Sequence, residues 1–235
     1  MAVYAIADTH LSTELDKPMD VFGSRWKGYT EKLETAWRET VAGGDTVVVP
    51  GDISWAMHIK EALPDLHFLD SLPGTKILGR GNHDFWWETV KKLNGIFERE
   101  GITSLRLLYN NAFYVDGLAI CGTRGWFYDQ NNAPKGTDYK KLIAREALRL
   151  GMSLDAANSV APPDAERVVF LHFPPKFGDF VCRELIDVMK ARGVRRCFCG
   201  HIHGVYDLPQ TELFEGLELT LISADYLNFI PMRIS

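Results

Sequence analysis

The chain alternates between short apolar runs and longer segments in which apolar residues recur every three or four positions. The short runs have the length and composition of buried β-strands and are Val3–Ala7, Thr46–Val49, Lys76–Leu78, Ala112–Val115, Leu118–Cys121, Val168–Leu171 and Arg196–Cys199. The longer segments have the periodicity of helices that bury one face. Because strands and helices alternate, the pattern predicts an α/β fold.

Three helices are predicted from this periodicity. Their buried faces carry Leu33, Ala36, Trp37, Thr40 and Val41 in the first, Trp86, Val90, Leu93 and Phe97 in the second, and Val181, Leu185, Val188 and Met189 in the third. The segment 124–163 interrupts the alternation, with a polar loop over 130–136 and then a predicted helix from Asp138 to about Asn158. We interpret it as an insertion, either a surface excursion or a part of the substrate site.

Composition and charge narrow the class of protein. The 235 residues, 46% hydrophobic and 24% charged, fit one globular domain over residues 1–235. A formal charge of -5 without basic clusters argues against duplex nucleic acid as a partner. No signal peptide precedes the first strand and no run of ~18 apolar residues occurs, so we expect a cytoplasmic protein without a membrane partner. Four cysteines without zinc-ribbon spacing suit a reducing compartment, and the oligomeric state is left open.

Polar clusters stand at the ends of the predicted strands. They are Asp8-Thr9-His10, Gly51-Asp52, Gly81-Asn82-His83-Asp84, His172 and Gly200-His201-Ile202-His203. Ligands of open α/β sheets bind outside the carboxyl ends of the strands, so clusters that are far apart in sequence can meet in one crevice. Each cluster alone is a weak signal. Together their imidazoles and carboxylates suit Mn, Fe or Zn better than Ca.

The order of these clusters resembles the calcineurin-like metallophosphoesterase superfamily over residues 8 to 203. The resemblance implies an α/β/β/α sandwich, in which two central β-sheets are flanked by helices, and a site for two divalent transition-metal ions. It further implies one ligand set for each ion and a bridging carboxylate. The first set is Asp8, His10 and His203, the second is Asn82, His172 and His201, and the bridge is Asp52.

The residue types are consistent with these implied roles. His201 and His203 are two positions apart, as are Asp8 and His10, and in an extended segment this spacing directs both side chains to one side. A carboxylate has lone pairs for two cations, as a bridge at Asp52 requires. Two ions ~3.5–4 Å apart would lower the pKa of a shared water, and the resulting hydroxide would attack phosphorus.

Two neighbouring residues are candidates for the remaining catalytic chemistry. His83 follows Asn82 and, by the resemblance, is not a ligand, so it would stabilise a phosphoryl oxygen or protonate the leaving group. Asp84 would orient the ring of His83, or it would cap a helix. Outside the motifs, Arg124 follows a strand and would bind the phosphate of the substrate bidentately, with a surface salt bridge as the alternative.

One departure from the family pattern bears on the substrate. Ser/Thr protein phosphatases of this superfamily carry an Asp three residues after the bridging one, where this chain has Trp55. We therefore expect a phosphomonoesterase or phosphodiesterase that acts on a small molecule such as a nucleotide. The alternatives are a catalytically silent binding protein of the same fold and a nuclease acting on short oligonucleotides.

Overall fold

The computed structural model describes residues 1–15, 17, 19–126 and 138–235. The helices are α1 (Tyr29–Thr40), α2 (Ile59–Ser71), α3 (Val90–Glu100), α4 (Tyr139–Val160) and α5 (Arg183–Ala191). The strands are β1 (Val3–Ala5), β2 (Thr46–Val49), β3 (Thr75–Leu78), β4 (Leu105–Leu107), β5 (Phe113–Val115), β6 (Leu118–Thr123), β7 (Glu166–Leu171), β8 (Lys176–Phe177), β9 (Phe180–Val181), β10 (Arg196–Cys199), β11 (Thr211–Phe214), β12 (Leu217–Leu221) and β13 (Met232–Arg233).

Two large sheets form the centre of the molecule. The first has the order β13-β1-β2-β3-β4 and is parallel except for β13. The second has the order β11-β12-β10-β7-β6-β5, with four parallel strands inside and an antiparallel strand at each edge. A separate hairpin joins β8 and β9.

The hydrophobic core has three layers. Between the sheets, residues such as Val48 and Ile77 of the first sheet share a cluster with Val168 and Phe170 of the second. A second cluster joins the first sheet to α1, α2 and α3. The third joins the second sheet to α4 and α5. Each sheet thus buries both faces, as the continuous apolar runs of its strands require. The prediction of an α/β/β/α sandwich is confirmed.

Most of the predicted elements are present with small shifts of their ends. β2 and β10 have the predicted bounds, and β6 and β7 are two residues longer than predicted. The pattern gave no indication of α2, which contains Pro64, or of the strands β11 to β13. The polar loop predicted over 130–136 lies outside the described residues.

The helical half of the segment 124–163 is α4. Its N-terminus is capped by Asp138, whose side chain accepts a hydrogen bond from the backbone N–H of Lys141. The helix packs against β6 and α5, so this half of the segment belongs to the helical layer of the sandwich. Among the described residues, none of the helices is both long and apolar enough to cross a bilayer.

The loops that leave the parallel strands meet at one edge of the sandwich. The backbone N–H of Asp8 donates to the carbonyl of Gly51 (3.0 Å), and that of Gly200 donates to the carbonyl of His172 (3.1 Å). A further bond, from Ala7 to Ile222 (2.7 Å), joins the two sheets. These contacts bring the polar clusters into one place.

Candidate metal centre

The backbone at the site is unusual because four of its polar residues adopt the left-handed conformation. Asp8, His10, Asp52 and His201 have φ angles of 59°, 43°, 50° and 70°. Non-glycine residues rarely adopt this region, and those that do cluster at functional sites. The expectation that His201 to His203 is an extended segment is therefore wrong, and the same holds for Asp8 and His10. Sharp turns, rather than a period of two, direct these side chains inward.

Three of the predicted ligands form a first group. Donor atoms of Asp8, His10 and His203 lie within 4.8 Å of one another. The Nε2 atoms of His10 and His203 are 3.3 Å apart. Both carboxylate and imidazole belong to the donor types that transition metals prefer.

A second group lies beside the first. It contains donor atoms of Asp52, His172 and His201, again within 4.8 Å of one another. The side-chain oxygen of Asn82 lies 2.6 Å from Nε2 of His172. Asp52 stands between the groups, because its Oδ2 is 3.7 Å from Nε2 of His10 and 3.5 Å from Nε2 of His172. All seven predicted ligands are thus neighbours in the structure.

Buried polar atoms at this site lack partners of their own. Oδ1 of Asp8 and Nδ1 of His172 face each other at 3.5 Å, and both are buried without a hydrogen bond to a described residue. Buried polar atoms are normally paired, because an unpaired one costs roughly 1–3 kcal/mol. A cation among these lone pairs would satisfy them. The donor set therefore fits the ions that the resemblance implies.

Burial disfavours charge on two carboxylates and two imidazoles of the site. Burial raises the pKa of Asp8 to about 6 and holds that of Asp52 well above its usual range, where Asp8 and Asp84 raise it further. Burial also lowers the pKa of His10 and His172 well below their usual range. Divalent cations would reverse this balance, since they favour ionised carboxylates and neutral imidazoles.

Two glycines leave room for the carboxylates. A Cβ atom on Gly81 would lie 2.0 Å from Oδ1 of Asp52, and one on Gly200 would lie 2.5 Å from Oδ2 of Asp8. Neither glycine has a positive φ, so space, not backbone conformation, excludes a side chain at these positions.

His83 lines the cavity of the metal centre. Its backbone N–H donates to Oδ1 of Asp52 at 2.8 Å. Its ring lies 4.4 Å from that of Trp55, which also stacks on His10 at 4.7 Å. The indole N–H of Trp55 donates to Sδ of Met19 (2.9 Å). An aromatic wall thus stands beside the candidate catalytic imidazole.

The carboxylate of Asp84 has different hydrogen-bond partners from those expected. Its carboxylate accepts five hydrogen bonds, from the backbone N–H groups of Asp52, Ile53, Ser54 and Gly81 and from the indole of Trp86. It makes no hydrogen bond to the ring of His83 within the described part of the chain. It caps no helix either, because α3 begins at Val90 and is capped by Thr89. Both expectations for Asp84 are corrected: the carboxylate joins the loops after β2 and β3.

Asp225 is a site residue that the sequence analysis missed. Its Oδ1 accepts a hydrogen bond from Nδ1 of His203 (2.8 Å), and its Oδ2 accepts from Gly204 N–H (3.1 Å) and Tyr206 Oη (2.9 Å). Burial opposes the charge of His203, but the hydrogen bond to Asp225 and the charges of Asp8 and Asp225 outweigh it and raise the pKa of His203. With Nδ1 engaged in this bond, Nε2 of His203 faces His10. Metal-ligating histidines are commonly oriented in this way.

Two cavities lie at this edge of the sandwich. One of about 400 Å³ is lined by four donors of the metal centre and by Met19, Phe22 and Trp26; the donors are His10, Asp52, His201 and His203. The other, of about 690 Å³, is lined in part by Arg124. The predicted substrate-binding arginine therefore does not line the cavity of His10 and His83. It remains close, because its carbonyl accepts the backbone N–H of Phe173 (2.9 Å), next to His172.

Comparisons with known proteins place the chain in a family. A family model described as calcineurin-like phosphoesterase matches residues 1–205. No curated protein gives a significant match. AQ665 of Aquifex aeolicus, described as a protein of unknown function, is 17% identical with a TM-score of 0.54, and the match covers 99% of this chain and 95% of that one. The phosphopantetheinyl hydrolase PptH of Mycobacterium tuberculosis is 14% identical with a TM-score of 0.54, and the match covers 99% of this chain and 95% of that one. TT1561 of Thermus thermophilus is 11% identical with a TM-score of 0.56, and the match covers 95% of this chain and 89% of that one.

These structural likenesses are at low identity and concern the fold alone. The family match covers the first motif, at Asp8, and the last, at His203. It agrees with the two candidate metal groups that the fold brings together. The chain belongs to the calcineurin-like phosphoesterase family.

Proposed function

We propose that the protein is a metal-dependent phosphoesterase that hydrolyses a small phosphate mono- or diester with two transition-metal ions of the Mn, Fe or Zn type. The proposal rests on one observation: seven donor side chains, most of them buried, lie close together in two adjacent groups. A purely structural site would not leave buried lone pairs of Asp8 and His172 facing each other without a partner.

In this proposal the donors divide as the resemblance implies. Asp8, His10 and His203 would hold one ion, Asn82, His172 and His201 the other, and Asp52 both. When bound, such ions activate water and neutralise the charge of the phosphoryl group. The chain's own contribution is to exclude bulk water with Trp55 and Trp26 and to present His83 to the ester.

The size and lining of the cavity support a small substrate. A cavity of about 400 Å³ is in the range of small-molecule sites. Trp55 occupies the position where the protein phosphatases of the superfamily have an acidic residue, and its ring stacks on His10. These features favour a small ester with an apolar or aromatic part over a phosphoprotein.

The test is a substrate panel with a matched pair of variants. Protein freed of metal and reloaded with Mn is assayed on p-nitrophenyl phosphate, bis(p-nitrophenyl) phosphate, cyclic nucleotides and short single-stranded DNA. We expect turnover of at least one small ester, which Asp52→Asn abolishes because it weakens both groups. Asp179→Asn, at an exposed aspartate that lines neither cavity, should keep wild-type turnover.

Two outcomes would contradict the proposal. Full metal loading without turnover of any panel substrate would favour the catalytically silent binding protein. Turnover confined to the oligonucleotide would favour the nuclease.

A further inference from the structure

The larger cavity is rich in arginine. Its lining includes Arg80, Arg124, Arg145 and Arg149, together with the aromatic residues Trp87 and Tyr109. The arginines come from three separate parts of the fold. Arg80 follows β3, Arg124 follows β6, and the other two lie four positions apart on α4, so that they share one helical face.

The positive charge of this cavity is only partly compensated. Glu146 is buried beside it and accepts a hydrogen bond from Arg149 (2.7 Å), while Arg145 stays 3.8 Å away. Glu88 is paired with Lys92 at 3.2 Å. No described residue forms a hydrogen bond or ion pair with the guanidinium of Arg80 or of Arg124. The guanidinium of Arg124 is partly enclosed, over the rings of Trp126 (5.0 Å) and Phe173 (5.8 Å), whereas Arg80 is exposed. Their hydrogen-bond donors can bind an anion.

Two short backbone connections link the arginine cavity to the second donor group. Arg80 is two residues before Asn82 in the same loop. The carbonyl of Arg124 accepts the backbone N–H of Phe173, the residue after His172. Arg80 therefore follows the same strand as Asn82, and Arg124 follows β6, the neighbour of the strand that ends before His172. A ligand held by the metal centre could reach the arginine cavity without leaving this edge of the sandwich.

We propose that the arginine cavity binds a second phosphate group of the substrate, so that the preferred ester carries one phosphate to be cleaved and another that is only held. A phosphate dianion presents three acceptor oxygens and matches the fork of an arginine bidentately. The inference rests on the proposed function for the cleaved phosphate, and its binding part can be tested without it.

A series of alkanediol bisphosphates, each compared with the monophosphate of the same diol, measures the effect of the second phosphate on Mn-loaded protein. At one or two chain lengths, we expect kcat/KM to be at least ~10-fold higher for the bisphosphate than for the monophosphate. At the other lengths the two values should be similar, because the diol chain must span a fixed distance between the two phosphate sites. A series with no length preference and no advantage would overturn the proposal.

Variants assign the effect to the cavity. Arg80→Gln and Arg145→Gln should each reduce the bisphosphate-to-monophosphate ratio by about tenfold, the value of one charge-assisted hydrogen bond. The control is Arg38→Gln on α1, because the side chain of Arg38 is 45% exposed and that of Arg145 49% exposed, each near a glutamate of its own helix. Its ratio should equal that of the wild type. If all three variants kept the wild-type ratio, the cavity would not bind the second phosphate.

A binding measurement separates this proposal from the proposed function. Metal-free protein is titrated with pyrophosphate by calorimetry, with and without Arg80→Gln and Arg145→Gln. Binding that weakens about tenfold in both variants and not in Arg38→Gln supports the subsite even if no ester is hydrolysed. Absence of binding, or equal binding in all variants, would overturn it, whereas hydrolysis of p-nitrophenyl phosphate would still support the phosphoesterase.

Discussion

His83 is the side chain whose chemistry is most open to test. Burial and the charges of His203 and Lys17 lower its pKa below 6.5, so only a minor fraction is protonated at neutral pH. As a general acid it would act best in acidic solution, and the rate on an alkyl ester should fall as pH rises through that lowered pKa. We expect His83→Ala to slow hydrolysis of an alkyl phosphate at least ~10-fold more than that of p-nitrophenyl phosphate, whose leaving group needs no proton.

Metal content is measured on the same His83→Ala samples, and His67→Ala, at an exposed histidine on α2, is the control. Equal losses on the two esters would make His83 a stabiliser of the phosphoryl oxygens. A parallel loss of metal would make it a structural residue.

Asp225 offers a second test, on the orientation of a ligand. Its hydrogen bond to Nδ1 of His203 leaves Nε2 toward the site, so Asp225→Asn should weaken binding of the first ion by about 10–100-fold. Titration of metal-free protein with Mn, followed by competition with a chelator, measures both affinities. The exposed Asp207, which lies in the same loop as His203, supplies the control Asp207→Asn. An equal loss at both ions would contradict the assignment of His203 to one group.

The loops after β2 and β3 are held together by a single buried carboxylate. Asp84→Ala would leave four backbone donors and the indole of Trp86 without their acceptor. We expect a loss of roughly 3 kcal/mol or more in the free energy of unfolding, and a fall in Tm of roughly 6–12 °C. Metal content should fall with it, because Asp52 lies in one of these loops. Asp84→Asn, which keeps one acceptor oxygen, should lose less.

The exposed Asp187 on α5 is the matched control for Asp84, and Asp187→Ala should leave the Tm nearly unchanged. If Asp84→Ala kept its Tm and its metal but lost turnover, the aspartate would have a direct role in catalysis.

The whole molecule responds to metal and to pH together. In the metal-free protein, burial raises the pKa of Asp8 to about 6 and that of Asp52 well above its usual range, so a cation competes with protons for these carboxylates. Lower pH therefore favours the proton, and Mn affinity should fall as pH drops from 7 through about 6, the pKa of Asp8. Binding at pH 7 should release protons, which calorimetry in buffers of different ionisation enthalpy detects. Saturation should need two ions per chain and raise the Tm.

A stoichiometry of one ion after loading with excess Mn would contradict the bridging role of Asp52. Binding without proton release, at an affinity independent of pH, would mean that these carboxylates are already ionised in the metal-free protein.

Local patterns in the sequence were sufficient for the strands that carry the motifs and for the ligand types. β2 and β10 are short, continuous apolar runs because both faces of their sheets are buried, and this pattern is readable without a structure. The order of the motifs from Asp8 to His203 also indicated the family, which the match over residues 1–205 confirms. α2 was not predicted because Pro64 lies inside it and lowers its helical propensity. β13 was not predicted because it has only two residues.

Tertiary structure decided what depends on contacts between distant residues. Asp84 joins backbone groups some 30 positions away, and Asp225 orients a histidine 22 positions earlier, so neither role has a local signature. The arginine cavity likewise forms only where the ends of β3 and β6 meet a face of α4. The sequence by itself determined which donor residues are present and which strands they follow, because residue types and strand patterns can be recognised within a short segment. Which donors face one another was decided by packing, because distances between loops exist only in the folded sandwich.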